Sequence, residues 1–282
     1  MPTVTLDEIE TYYEVHGSGI PILMFAPGGF DATLDKWRAA SAWTGINAIE
    51  ALAAEHCLVL YDRRECGQSG GRVERLGWAS YTRQGKALLD HLKFDSAWIM
   101  GGCMGCSVAL AFGAHYPELT RGLLLHWPVG GYRWKVNGQE RFLRHYNFAK
   151  QNGLNGVIER SRGGKSFWMD PEAGPWATSI ARDNAFADRF GAQKLERYLG
   201  IIAATGRSMF DRDTAPGPEP EELMGINVPA LVIPGDDPSH ATSGAHYLRE
   251  LLPRVDFWNV MPPEQSTQKT CDRILGFCRK HD

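Results

Sequence analysis

The sequence predicts an α/β fold in which a mostly parallel sheet is covered by helices on both faces. Apolar runs without polar interruption recur along the chain, and segments with helical periodicity separate them. Strands that are apolar on both sides are typical of parallel sheets buried between two helical layers. The length of 282 residues is sufficient for such a domain with a sizeable core.

The predicted elements alternate in order along the chain. Two strands open it, and a Gly17-Ser18-Gly19 turn separates the second from the third. The polar segment that begins at Asp62 directly follows the fourth strand. Strands are predicted over residues 3–9, 10–16, 20–25, 57–61, 97–100, 122–127, 228–234 and 255–260, and helices over 48–55, over 81–94 and after residue 105.

Residues 132–223 interrupt this alternation with helical segments rich in aromatic residues and glycine. We therefore expect a core domain of residues 1–131 and 224–282 with a helical cap inserted at 132–223. An insertion after the carboxyl end of a strand lies over the sheet edge where ligands bind. Trp134, Trp168 and Trp176 are candidates for pocket walls, although most aromatic side chains of such a segment are expected to be core.

The segment Gly101-Gly102-Cys103-Met104-Gly105 follows an apolar strand and opens a helix. Small residues two before and two after the central position allow a sharp strand-to-helix turn that lifts the Cys103 side chain out of the sheet. The positive end of the helix dipole favours thiolate over thiol. The pattern predicts that Cys103 is a nucleophile.

Four segments in this order and spacing resemble the α/β-hydrolase superfamily over nearly the whole chain. The resemblance implies that backbone N–H groups of Gly29 or Phe30, together with that of Met104, stabilise a developing oxyanion. A cysteine at the elbow is similar to the dienelactone hydrolases, whereas most members carry serine. The four segments are Pro27-Gly28-Gly29-Phe30, Asp62-x-Arg64-x-x-Gly67-x-Ser69, Gly101-x-Cys103-x-Gly105 and Gly235-Asp236-Asp237-Pro238.

The family places its base histidine in the loop after the last strand, but residues 261–266 contain none. We expect His240, in the loop after the preceding strand, to replace it as the base. The alternative is that His240 only caps a helix or lines the pocket. His126 follows a buried run and is expected to be structural or to line the pocket. Asp237 or Asp236 would orient His240, and the sequence leaves that choice open.

Several other functions are disfavoured by composition. A net charge of −3 and the absence of a basic cluster argue against nucleic acid as a partner. No signal peptide or membrane span is evident, and six cysteines fit free thiols in the cytoplasm. Cys103 and Cys106 form a Cys-x-x-Cys pair, but the other segments do not fit a thioredoxin-like redox fold. No metal-ligand spacing and no cofactor motif is found.

The sequence therefore predicts a cofactor-free hydrolase or acyl-transfer enzyme. Cys103 would attack a small, largely apolar ester, lactone, thioester or activated ketone. One alternative is a cofactor-free lyase or isomerase on the same scaffold, which would form no acyl intermediate. The other is a non-catalytic protein that binds a small molecule. The substrate and the oligomeric state are not predicted.

Overall fold

A computed structural model describes residues 2–39 and 48–282 as one eight-stranded sheet flanked by helices. The spatial strand order is β1-β2-β4-β3-β5-β6-β7-β8. β1 and β2 pair antiparallel to their neighbours, and all later pairs are parallel. The strands are β1 (Thr3–Leu6), β2 (Ile9–His16), β3 (Pro21–Phe25), β4 (Cys57–Tyr61), β5 (Ala97–Gly102), β6 (Thr120–His126), β7 (Ala230–Ile233) and β8 (Val255–Phe257).

Helices cover both faces of this sheet, as the unbroken apolar strands predict. The fold class expected from the sequence is confirmed. The helices are α1 (Lys36–Ala39), α2 (Ala48–Ala53), α3 (Trp78–Leu92), α4 (Gly105–His115), α5 (Tyr132–Ser161), α6 (Ala177–Arg182), α7 (Asn184–Gly191), α8 (Leu195–Met209), α9 (Pro220–Met224), α10 (Thr242–Leu251) and α11 (Thr267–His281).

Alternate side chains of the central strands enter two separate hydrophobic cores. In β3, Leu23 and Phe25 join the core under α3 and α4, whereas Ile22 and Met24 join the core under α11. This alternation follows from the two-residue period of a strand. Both layers are needed to bury the sheet, so the carboxyl ends of the parallel strands are left as the edge that loops can shape.

Between β6 and β7 the described chain forms helices α5 to α9 and no strand. α5 is broken at Gly153, where φ is 67°. The predicted boundary between residues 223 and 224 falls inside α9. Because β6 ends at His126, this helical segment leaves the sheet at its carboxyl edge, next to the elbow that follows β5.

Candidate active site

Cys103 lies at the turn between β5 and α4, with a φ of 54°. Positive φ is unfavourable for a residue with a side chain, and such strain clusters at functional sites. The glycines on either side of Cys103 make this turn possible, because the backbone of the helix lies too close to the strands for a side chain. A Cβ on Gly105 would lie 2.1 Å from the carbonyl oxygen of Phe25, and a Cβ on Gly101 would lie 2.4 Å from that of Gly105. The helix can therefore start directly against the sheet only with glycine at both positions.

The backbone of β6 holds this turn in place. The Cys103 N–H donates to the His126 carbonyl oxygen at 3.1 Å. The thiol of Cys106 donates to the same oxygen at 3.3 Å and to the Gly101 carbonyl oxygen at 3.1 Å. Burial raises the pKa of the Cys106 thiol, and the neighbouring Cys103 raises it further. Cys106 is thus a neutral, buried donor that supports the turn.

His240 and Asp237, the predicted base and acid, form a hydrogen-bonded pair in the cavity that Cys103 lines. The imidazole Nδ1 of His240 lies 2.7 Å from Asp237 Oδ2. Asp237 Oδ1 accepts the backbone N–H groups of Ser239 at 2.8 Å and His240 at 3.1 Å. The Gly130 N–H donates to the Ser239 carbonyl oxygen, which ties this turn to the chain after β6. The carboxylate therefore fixes the ring by one side-chain bond and the local backbone by two more.

The thiol and the imidazole shift each other's protonation. Burial alone would raise the pKa of the Cys103 thiol, but His240 and the backbone N–H groups of Gly28 and Met104 lower it below its usual value. Burial opposes the charged form of His240, yet Asp237 and Cys103 raise its pKa to about 10. Nε2 of His240 is buried and makes no hydrogen bond of good geometry to any described residue. Each group therefore favours the charged form of the other.

Asp237, not Asp236, is the carboxylate that faces His240. The His240 side chain and the backbone of the turn lower the pKa of Asp237 to about 2, against the effect of partial burial. Both aspartates are exposed to solvent, so the distinction rests on the bond between Asp237 Oδ2 and the His240 ring. The geometry thus separates two neighbouring aspartates that the sequence could not distinguish.

Gln265 lies in the loop where the family histidine was expected. Its Nε2 donates to the carbonyl oxygens of Pro234 at 2.8 Å and Val260 at 2.7 Å, and its Oε1 accepts the indole N–H of Trp127 at 2.6 Å. The side chain is buried. An amide, which does not titrate, therefore ties the loop after β8 to the ends of β6 and β7.

Trp127 connects Gln265 to two histidines. Its ring stacks on His126 at 5.7 Å between centroids and lies 5.7 Å from the His240 ring. Burial, and next the charge of His240, lower the pKa of His126 to about 3, so this imidazole is neutral. His126 is 1% exposed and belongs to the support beneath the site. Only His240 of the two lines the cavity with Cys103.

A cavity of about 270 Å³ brings the predicted nucleophile, base and acid together. Trp134 and Trp168 stack with their centroids 5.8 Å apart and form one wall. Gly29 approaches Trp168 so closely that a Cβ there would lie 3.0 Å from the indole ring. The residues that line the cavity are Pro27, Gly28, Gly29, Asp31, Lys36, Cys103, Trp134, Trp168, Asp237, Ser239 and His240.

Two of the remaining candidates lie elsewhere. The Trp176 side chain is fully buried, and its indole N–H donates to the Arg72 carbonyl oxygen at 3.0 Å, so it is not part of this cavity wall. The ring of Phe30 packs between Phe142 and Phe167. Its backbone N–H stays a predicted oxyanion donor, as do those of Gly29 and Met104.

Sequence reasoning missed the polar side of the cavity. Lys36 Nζ lies 3.3 Å from Asp31 Oδ2, and both residues line the cavity. Asp31 directly follows the glycine-rich loop, which was a usable signal, whereas Lys36 carried none. Gln265 and Trp127 were also missed, although Gln265 lies in the loop searched for a histidine. Within the described residues, no cluster of three or more His, Cys, Asp or Glu has the geometry of a metal site.

The chain matches the model of a known protein family. The family model for the alpha/beta hydrolase fold matches residues 21–257. The chain therefore belongs to the alpha/beta hydrolase family, and we class it as a hydrolase. Within the described residues no helix combines the length and apolarity required to cross a bilayer.

Known proteins resemble the chain over its whole length. A protein of Azorhizobium caulinodans, named "Putative carbamate hydrolase RutD", is 31% identical, with all of both chains covered. A variant of the meta-cleavage product hydrolase CumD from Pseudomonas fluorescens IP01 has a TM-score of 0.65 at 16% identity, covering 100% of this chain and 98% of that one. The enol-lactonase from Burkholderia xenovorans LB400 has a TM-score of 0.61 at 18% identity, covering 99% and 100%. These two structures share the fold.

Proposed function

We propose that this protein is a cofactor-free hydrolase that forms an acyl-enzyme on Cys103. One observation carries the proposal. Cys103 and His240 line the same cavity, and Nδ1 of His240 lies 2.7 Å from Asp237 Oδ2. A thiolate needs less activation than a serine hydroxyl, and the imidazolium beside it is the proton source for a leaving group. This arrangement supports His240 as the acid–base partner of a thiol nucleophile.

Acylation begins when the Cys103 thiolate attacks the substrate carbonyl carbon. The carbonyl electrons move to oxygen, and backbone N–H groups of the glycine-rich loop and Met104 stabilise the oxyanion. As the carbonyl reforms, the bond to the leaving group breaks, and the imidazolium of His240 protonates that group. The products of this step are a thioester on Cys103 and a neutral imidazole.

Deacylation reverses the proton flow. Neutral His240 accepts a proton from water, whose oxygen attacks the thioester carbon. Collapse of the second oxyanion releases the acid and returns the thiolate beside the imidazolium. Asp237 keeps Nε2 as the reactive nitrogen by holding Nδ1, and it stabilises the charged ring.

The substrate class rests on the cavity and the relatives. A volume of about 270 Å³ is small among ligand pockets, which commonly measure about 300–1,000 Å³. Small esters, lactones, thioesters or activated ketones remain the predicted substrates. The relative named as a carbamate hydrolase adds small carbamates to this range. We propose that the segment 132–223 acts as a cap that supplies the indole wall, and that the enzyme works in the cytoplasm.

Intact-mass spectrometry during turnover tests the proposal. Brief exposure to a panel of small activated esters, lactones, thioesters and carbamates should add one acyl mass, mapped to Cys103. Cys103→Ala should show no adduct. With activated esters, whose leaving groups need no protonation, His240→Asn should still acylate and should accumulate the adduct because water loses its proton acceptor. Cys106→Ser, which keeps a hydrogen-bond donor at that position, is the matched control. It should still form the adduct, whereas a redox role would require both thiols of the Cys-x-x-Cys pair.

The same measurement separates the alternatives. Substrate conversion without any adduct in His240→Asn would favour a lyase or isomerase and contradict acyl transfer. Binding without conversion would favour a non-catalytic protein. An adduct that forms equally on Cys103→Ala would show that another nucleophile is used.

A further inference from the structure

The cavity contains an ion pair that the proposed chemistry does not use. Lys36 Nζ lies 3.3 Å from Asp31 Oδ2, and the hydroxyl of Ser166 donates to the same oxygen at 3.3 Å. Asp31 and Lys36 line the cavity together with Cys103. The Asp31 side chain is 21% exposed and that of Lys36 is 36% exposed. A substrate that fills the cavity must therefore cover a donor and an acceptor that lie side by side.

Asp31 is close to the reacting centre. A Cβ placed on Gly28 would lie 2.9 Å from Asp31 Oδ1, and the backbone of Gly28 interacts with the Cys103 sulfur. Gly28 therefore lies between the Cys103 sulfur and the Asp31 carboxylate and is close to both. Cys103 and the Asp31–Lys36 pair line the same cavity of about 270 Å³, so the pair lies within the space open to a short acyl chain on Cys103.

The charges of the cavity disfavour an anionic tail. Asp31, Asp237 and the thiolate carry negative charge, against the positive charges of Lys36 and His240. The cavity therefore has a net charge of −1 in its reactive state. A carboxylate placed at Lys36 would also lie beside Asp31, where repulsion offsets most of the attraction.

A hydrocarbon tail is disfavoured for a different reason. It would remove water from the ammonium and the carboxylate without replacing the lost hydrogen bonds, which costs free energy.

We propose that Asp31 and Lys36 form a specificity subsite for an uncharged amide-type group at the far end of the acyl chain. A primary amide, a ureido group or a carbamate offers its carbonyl oxygen to Lys36 and its N–H to Asp31. This assignment rests on the proposed acyl transfer through Cys103. It replaces the expectation of a largely apolar substrate with one that is apolar in the middle and polar at its end.

The test uses four S-ethyl thioesters whose acyl chains have nearly the same shape. Their acyl groups are succinamyl, succinyl, 4-oxopentanoyl and 4-methylpentanoyl, which end in an amide, a carboxylate, a ketone and a hydrocarbon. Release of each acid is measured by chromatography and corrected for spontaneous hydrolysis. The wild-type kcat/KM should be highest for succinamyl, by about tenfold or more over both succinyl and 4-methylpentanoyl, because it alone pairs with both charges.

Variants assign this preference to the two side chains. Lys36→Met should reduce the ratio of succinamyl to 4-methylpentanoyl kcat/KM by about tenfold. Asp31→Asn should raise the ratio of succinyl to succinamyl by about tenfold, because Lys36 then loses its competing anion. Arg38→Met is the matched control. It removes a cation of the same helix that pairs with Glu14 and Asp35 outside the cavity, and it should leave all ratios as in the wild type.

Two results would overturn the subsite. One is a wild-type enzyme that prefers succinyl or 4-methylpentanoyl over succinamyl. The other is a Lys36→Met enzyme whose kcat/KM falls by the same factor for all four thioesters. If mass spectrometry shows acyl-Cys103 without discrimination, only the subsite fails. If none of the four acylates Cys103, the proposed function fails and the subsite with it.

Discussion

Replacing Asp237 by asparagine tests the acid–base pair at the point where the structure is most specific. Asparagine keeps Oδ1, so the backbone N–H groups of Ser239 and His240 retain their acceptor. The change removes the carboxylate oxygen that lies 2.7 Å from Nδ1 of His240. The loop should therefore keep its shape while the ring loses its charged partner.

The size of the effect follows from that one bond. A hydrogen bond to a charged group contributes about 1.5–3 kcal/mol, which corresponds to about 10- to 150-fold in kcat/KM. The pKa of His240, about 10 with Asp237 present, should fall toward its usual value of 6.5. Because the imidazolium is needed in acylation and exists below that pKa, the alkaline limb of kcat/KM should move to lower pH.

The assay is a pH profile of kcat/KM for one thioester, from pH 5 to the alkaline limit of stability. Asp236→Asn is the matched control, because it is the same substitution in the neighbouring exposed residue. It should leave the alkaline limb in place and change kcat/KM by less than about twofold. An Asp236→Asn effect as large as that of Asp237→Asn, or an alkaline limb that stays near 10 in Asp237→Asn, would refute the reasoning.

Three further predictions concern other parts of the molecule. Iodoacetamide at pH 7 should label Cys103 before Cys66, because burial raises the pKa of Cys66 to about 12, and peptide mapping that finds Cys66 first would contradict this. Gln265→Leu should lower the free energy of unfolding by about 2–3 kcal/mol and reduce kcat, since three hydrogen bonds of the loop are lost; an unchanged urea midpoint would disprove its anchoring role. His126 and His145, whose pKa values burial lowers to about 3 and about 4, stay neutral in the folded protein while they take up protons in the unfolded chain around and below pH 6.5. Unfolding should therefore cost about 3 kcal/mol less at pH 5 than at pH 6.5; equal urea stabilities at the two pH values would contradict this.

Local patterns predicted most of the architecture. The apolar runs of β3 and β4 are buried on both faces, and glycine spacing located the turn at Cys103. These features depend on neighbours within a few residues, which a sequence shows directly. The proximity of His240 to Asp237 was also within reach, because three residues separate them in one turn.

The rest depends on packing between distant segments. Trp127 meets Gln265 across 138 residues of chain, and no local signal marks that contact. Trp176 belongs to the same aromatic-rich segment as Trp168, yet only Trp168 reaches the cavity, since the direction of each indole is set by how the helices of that segment pack. Composition alone could not separate the two.

Asp237 and His240 lie in one turn after β7, so the proposed proton-transfer pair belongs to a single short segment of the chain. In the arrangement expected from the family, the base lies in the loop after the last strand, so that base and acid belong to two separate loops. Here both side chains belong to residues 237–240, and hydrogen bonds within that turn join them. Substitutions in β8 and α11 should therefore leave the geometry of this pair largely unchanged. The Gln265 side chain links the loop after β8 to the end of β7 through Val260 and Pro234.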